Sequence, residues 1–272
     1  MAFAETQAAE DLRWLLDCSS LIQSELTFEF ESSPLNAIDW EPVRRFHETK
    51  AAHRVGYYVE SLIQSWLESQ ESVSDLRHGI QIRREKETLG ELDFLFRQEG
   101  VLHHLEVALK LYLCFPEGAE NGSCFVGPNA TDSFERKRDR LIDKQLPFGK
   151  EHFPEIERSF HAVKGMIFYH AKGGRSVELP TLLNHGHARG AWIRESELEA
   201  FLERMPPLRK GRILKKPFWL AATGADLNTD EILTAASAHF EKWDGPVYLA
   251  VFEGNEEIDR LFIMPECWPE KR

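Results

Sequence analysis

Cysteine is scarce in this chain of 272 residues: Cys18, Cys114, Cys124 and Cys267 are scattered thiols with no C-x-x-C pair. That spacing indicates neither a zinc site nor a disulfide framework, and Cys114, at the end of an apolar run, reads as a small buried hydrophobe. Long hydrophobic runs are lacking too. No stretch approaches membrane-spanning length, and the opening MAFAETQAAEDLRW is acidic and interrupted where a signal peptide would carry a basic start and an apolar run. The expected location is cytoplasmic, with no membrane partner. Internal repeats and low-complexity tracts are absent. Positive charge is in deficit: a net charge of -12 argues against a general nucleic-acid coat protein, because lysine and arginine contacts to phosphate supply most non-specific affinity. The length allows one large domain or a core with a smaller companion.

What basic charge there is comes in clusters. Acidic residues dominate from Glu5 to Glu41 and from Asp226 to Glu270, whereas basic residues gather at Arg83-Arg84-Glu85-Lys86, at Arg136-Lys137-Arg138 and at Arg209-Lys210-Gly211-Arg212 with Lys215-Lys216. A phosphate-bearing substrate would have to lie along these clusters. Each, taken alone, also reads as a solvated face or a helix C-terminal charge bias.

The most informative stretch runs from Gly90 to Leu113. Two apolar runs, Gly90-Glu91-Leu92-Asp93-Phe94-Leu95-Phe96 and Leu102 to Leu113, are joined by Gln98-Glu99-Gly100 and predict a β-hairpin. Asp93, Glu106 and Lys110 lie inside these strands, where a charge is costly to bury unless it is paired or bound to a metal. Even spacing puts side chains on one face, so Glu91, Asp93 and Leu95 are expected to point together, as are Glu106, Ala108 and Lys110. Two carboxylates and an ammonium meeting there suit a hard divalent cation. The plainer reading of Lys110 is a structural pair with Glu106.

An aspartate closing one strand, a short hairpin, and an acid and a lysine on the next strand resemble the PD-(D/E)XK nuclease superfamily. Within it the chain is most similar to a bacterial branch catalogued only as a domain of unknown function, through Gly90-Glu-Leu-Asp93-Phe-Leu, Leu105-Glu106-Val-Ala-Leu-Lys110-Leu-Tyr112-Leu, and Val126-Gly127-Pro128-Asn129 followed by Asp132 and a helix ending Lys144-Gln145-Leu146. The resemblance spans roughly the first two thirds of the chain. It implies a metal-dependent phosphodiesterase acting on nucleic acid, DNA foremost, with Mg²⁺ or Mn²⁺ held by Asp93 and Glu106. The helix His53–Ser69 has an apolar face, and in the superfamily such a helix supplies a glutamate to the metal, which matches Glu60. Lys110 would position or activate water, although the usual acid-x-lysine spacing after Glu106 lands on Ala108; two residues along a strand is about 6–7 Å, which a long lysine can partly cover. The helix after the catalytic strand offers Lys137, Lys144 and Gln145 as substrate-binding residues. The alternative is a catalytically inactive nuclease-fold module that binds nucleic acid or a protein partner; a metal enzyme acting on a nucleotide is a third.

The expected fold class is α/β (α+β), a restriction-endonuclease-like core with a mixed central β-sheet flanked by helices. An N-terminal helical segment (1–41), a nuclease-like core (42–175) and a C-terminal α+β extension (176–272) divide the chain. Within them a helix is expected from Glu5 to Leu26, a connector from Ser33 to Pro42, and a long helix from Pro42 to Glu68 broken at Gly56. Strands are expected at Ile80–Arg83, His161–His170, Ala191–Ile193, Phe218–Leu220 and Val247–Phe252. Thr131 or Asp132 caps a helix to Gln145, and Ser196 with Glu199 forms a capping box for a helix to Met205. His185-Gly186-His187 lacks an obvious third ligand and reads as hydrogen-bonded structure; the Asn129-Ala130-Thr131 pattern reads as a turn.

Overall fold

The computed structural model describes residues 5–31, 35, 38–117, 123–173, 177–206 and 209–270. It shows a mixed α+β fold with a nine-stranded mixed sheet flanked by helices, the expected class. The chain resolves into two compact units. One comprises Met1–Lys110, Lys137–Gly165 and Thr181–Gly186; the other comprises Leu111–Arg136, Met166–Pro180 and His187–Arg272.

In the first unit, three helices precede the sheet: α1 (Glu5–Asp17), α2 (Glu41–Glu48) and α3 (Val55–Glu68). The first helix stops well short of Leu26, because Ser20 and Ile22 leave it to bridge Lys164 and Leu183 in extended pairing. The expected long helix is two, interrupted over residues 49–54 rather than at Gly56, which lies in the first turn of α3. The Thr49 hydroxyl, donating to the carbonyl of Phe46 at 2.8 Å, competes for the backbone where α2 ends. Tyr58 of α3 donates to Asp11 of α1 at 2.6 Å, so these two helices share a fully buried polar tie. Residues 33, 34, 36 and 37 of the connector expected from Ser33 lie outside the described residues.

Strands β1 (Val73–Arg84), β2 (Glu87–Gln98) and β3 (Val101–Cys114) form an antiparallel meander. The hairpin between β2 and β3 turns on Glu99 and Gly100, with φ of 52° and 85°; two positive φ values match the twist of the flanking strands. Strand β5 (Arg158–His170) lies beside β3 and runs parallel to it: Glu157 donates to the Leu102 carbonyl at 3.0 Å, and Gly165 backs onto Lys110 further along. A parallel neighbour needs a helical crossover, here α4 (Phe134–Arg140), a π-helical turn (Leu141–Gln145) and α5 (Leu146–His152). The cap of α4 is Ser133, whose hydroxyl accepts from Arg136, rather than Thr131 or Asp132. The π turn precedes Pro147, which has no N–H to offer Asp143; the Leu146 N–H reaches Leu141 instead. Gly90 and Gly149 let α5 sit close to the sheet: a Cβ on Gly90 would lie 2.7 Å from the Phe148 ring, and one on Gly149 would collide with His104. Phe28, Trp66, Phe96 and Phe160 build an edge-to-face aromatic core in this unit, each ring worth about 1.5–3 kcal/mol on full burial.

In the second unit β4 (Phe125–Val126) pairs with the end of β3. The end of β5, β6 (Ala188–Arg194) and β9 (Glu256–Met264) are parallel, followed outward by antiparallel β8 (Val247–Glu253) and β7 (Arg209–Leu214). Helices α6 (Leu198–Glu203) and α7 (Thr229–Phe240) cover one face through Leu198, Leu202, Ile232 and Ala236 packed on Leu249, Leu261 and Ile263. The backbone N–H of Arg194 is capped by Glu197 at 2.8 Å, so Glu197 plays the part expected of Glu199. Phe218–Leu220 is a loop, not a strand. The basic run before it forms β7, whose Lys210 and Arg212 are paired with Asp226.

Candidate functional site

Strands β2 and β3 are paired from Gln98↔Val101 up to Phe94↔Leu105 and then part. Beyond that point β2 pairs with β1 alone. The next residues in each strand are Asp93 and Glu106, so the two acids flank the fork. The freed N–H of Val107 is taken by Asp93 Oδ2 at 2.8 Å. The pleat is also broken here. Leu92 and Leu95, three apart, pack in one apolar cluster with Phe148 and Phe153, which regular alternation forbids; opposite them Gly79 has φ 63°. The expected common face of Glu91, Asp93 and Leu95 therefore does not persist through the site.

Glu106 is 1% exposed, and each of its carboxylate oxygens has a hydrogen-bond partner. Its Oε1 lies 3.0 Å from Nε2 of His104, two residues back on the same strand face, and its Oε2 accepts the Gln145 amide. Gln145 Oε1 in turn accepts Lys137 Nζ at 3.0 Å. Helix α4 and the π turn thus deliver a lysine and an amide to the strand carboxylate. Glu60 comes from α3, largely buried, with its carboxylate 3.2 Å from His78 Nε2.

Electrostatics draws these residues into one cluster. Burial, followed by the charges of Glu106 and Glu60, holds the Asp93 carboxyl well above the usual carboxylate range, against the pull of the Val107 N–H and of Lys137. Lys137 is itself lowered by burial and by Lys110 and Arg140, while Glu106 and Asp93 oppose that shift. Burial and the ammonium of Lys137 push the His161 ring down to about 4, so it is neutral at pH 7. Of the residues expected from the sequence, Glu60, Asp93, Glu106, Lys110, Lys137 and Gln145 all belong to this neighbourhood, and Lys144 projects exposed from the π turn. His104 and His161 entered no expectation. A histidine two residues before a strand glutamate is the one signal that could have marked His104; His161 is brought in only by the path of β5.

The donor chemistry suits a hard divalent cation, since carboxylates forced together in a buried place are what such an ion relieves. The placement is less complete. Among the described residues, no group of three His, Cys, Asp or Glu side chains stands in metal-holding geometry. Asp93 keeps Oδ1 clear of the Val107 bond, whereas both oxygens of Glu106 are engaged by His104 and Gln145. His187 bonds the Tyr169 hydroxyl at 3.0 Å, in keeping with a structural part for the His-x-His pair. No disulfide joins the four cysteines, and burial raises the Cys114 thiol to about 11. No described helix is long and apolar enough to cross a membrane.

Neither the curated proteins nor the solved structures include a match to this chain. The profile described as Domain of unknown function (DUF1853) matches residues 8–264, nearly the whole chain. The protein belongs to the DUF1853 family.

Proposed function

We propose that the chain is a metal-dependent phosphodiesterase of PD-(D/E)XK type acting on nucleic acid, with DNA as the first substrate to test. The observation that carries this reading is the buried convergence of Asp93, Glu106 and Glu60 from β2, β3 and α3, with the Asp93 carboxyl driven upward by burial and then by the other two acids. A fold has no structural need for such repulsion, and perturbed, buried carboxylates beside a lysine are a mark of a working site. The order of α3, the strands β1 to β3, the short β4, the helices α4 and α5, and β5 is further support.

Asp93 and Glu106 would hold Mg²⁺ or Mn²⁺, with Glu60 supporting them. Such an ion lowers the pKa of water and withdraws charge from the phosphate. The chain's own groups do the rest. Gln145 fixes the Glu106 carboxylate, and His104 holds its other oxygen. Lys137, tied to Gln145, is the ammonium best placed to orient the attacking water or balance charge on the phosphate; Lys110 adds a second cation to the same neighbourhood. Lys144, exposed on the π turn, is available to the nucleic-acid backbone.

The test is calorimetric titration of Mn²⁺ into the wild type and into Asp93→Asn and Glu106→Gln, with cleavage of single- and double-stranded DNA assayed in the same samples. Binding and cleavage lost together in both variants support the reading. A wild type that binds no metal overturns it in favour of a nuclease-fold module that binds nucleic acid or protein without hydrolysis. The engagement of both Glu106 oxygens by protein groups is what favours that second reading.

A further inference from the structure

Strands β5, β6 and β9 end side by side in the second unit, with His170 paired to Trp192 and Arg194 to Met264. Crevices outside the carboxyl ends of parallel strands are where open sheets take ligands. A cavity of about 700 Å³ lies at this edge, and every described residue lining it belongs to this unit. That volume is in the range that encloses a small organic ligand.

Its lining is cationic in a chain whose net charge is -12. Arg189 stands 5.3 Å from the Tyr169 ring, and among the described residues no carboxylate or carbonyl accepts from its guanidinium. Arg194 is fixed by two bonds from one nitrogen, to the carbonyls of Glu266 at 2.9 Å and Trp268 at 2.8 Å, and its other donors are unspent among the described residues. Glu197, three residues beyond Arg194, is committed to Lys172 at 2.6 Å and His170 at 2.9 Å. Glu117 is the only acid among the described lining residues. Two arginines with spare donors, each a planar fork, outweigh the single carboxylate and fit a phosphate group.

Beside the arginines is an aromatic wall. Phe115 meets Trp192 edge-on at 6.0 Å, and Trp192 is locked by its indole N–H on the Cys114 carbonyl at 3.1 Å. Rigid aromatic faces next to a guanidinium favour a flat heterocycle, which stacks on rings and on arginine planes alike. We propose that this cavity binds a phosphorylated nucleoside, its base against Phe115, which the buried Trp192 backs, and its phosphate at Arg189 and Arg194. The same chemistry is presented by a free mononucleotide and by one nucleotide of a single strand. No lining residue belongs to the carboxylate cluster of the first unit, so the proposal stands apart from the hydrolase reading.

The experiment is calorimetry on the full chain in chelator, titrating AMP, adenosine, inorganic phosphate and a single-stranded pentanucleotide. AMP is expected to bind at least ~10-fold tighter than adenosine or phosphate, since each lacks one half of the recognised group. Arg189→Gln, at an exposed position, is expected to weaken binding at least ~10-fold, and Asp93→Asn to leave it unchanged. Glu117→Gln, at an exposed position that cannot compromise the fold, is expected to tighten it roughly threefold by removing a like charge. Binding of the pentanucleotide alone supports the site and names a strand as its source. No heat from AMP or the pentanucleotide, phosphate binding as tightly as AMP, or weaker binding in Glu117→Gln would overturn the proposal.

Discussion

Asp93 accepts the backbone N–H of Val107 at 2.8 Å where β2 and β3 part, so one carboxylate both seals the fork in the sheet and stands in the acidic cluster. Its raised carboxyl pKa has a definite consequence for stability. A carboxyl whose folded pKa lies above its unfolded value stabilises the fold fully below the unfolded value, and that stability is lost as pH rises through the folded value. Metal-free protein should therefore lose stability from this group as pH climbs above the ordinary carboxylate range. Asp93→Asn, which keeps an oxygen for Val107, should raise stability at pH 8 by about 1 kcal/mol or more and flatten this part of the profile. Urea denaturation across pH in chelator reads both; a variant less stable than wild type at pH 8 refutes the account.

The amide of Gln145 is the only link described between the π turn and Glu106. Gln145→Ala leaves a buried carboxylate oxygen and Lys137 without that partner and should cost about 1–3 kcal/mol. The double variant with Glu106→Gln should cost less than the sum of the two singles, because the oxygen left unsatisfied is no longer charged. Chemical denaturation of the four proteins decides the point.

His161 should titrate near about 4, far below an ordinary imidazole. Because its folded pKa is depressed, the stability it contributes is present above the unfolded value near 6.5 and is lost as pH falls toward about 4. Ring proton shifts followed by NMR from pH 8 to 3.5 should show this directly. In Lys137→Met the midpoint should rise, since the neighbouring ammonium is a named cause of the depression; an unchanged midpoint would separate the two residues.

Two glycines set how closely the site's elements pack. Gly165 has φ 145°, and a Cβ there would collide with the Lys110 carbonyl. Gly165→Ala should be among the most damaging single changes, above about 4 kcal/mol or unfolded outright. Gly149→Ala would instead drive α5 off His104 and is expected to lower the melting temperature while leaving the far-ultraviolet circular dichroism intact. Thermal melts of both variants, compared with Gly100→Ala in the hairpin turn, rank the three.

Under the hydrolase reading, Lys137→Met should depress cleavage more than Lys110→Met, at least ~10-fold more in kcat with little change in KM, which is the signature of an interaction made mainly in the transition state. Equal losses would return the main role to the strand lysine.

Several parts of this arrangement were open to reading in one dimension. The hairpin, β5, β6 and β8 are apolar runs bounded by turn residues, and Asp93 and Glu106 stand out because charge is expensive inside such runs. Lys137 and Gln145 were visible as polar residues on a helix, but their joint hold on Glu106 was not, since it depends on a π turn ahead of Pro147 that shifts the helix register. The expected strand at Phe218–Leu220 was misplaced because apolar residues there fill a loop, while the strand itself, β7, is basic and partly paired with Asp226.

Local chemistry, then, was determined by the sequence: which runs extend, which coil, and where two acids must be accommodated. Which charges meet was decided by tertiary structure alone. Glu60, Asp93, Glu106 and Lys137 come from four elements, and their shifted proton affinities arise from burial and from one another's fields. Distance and desolvation are properties of the folded chain, and neither is written in residue spacing.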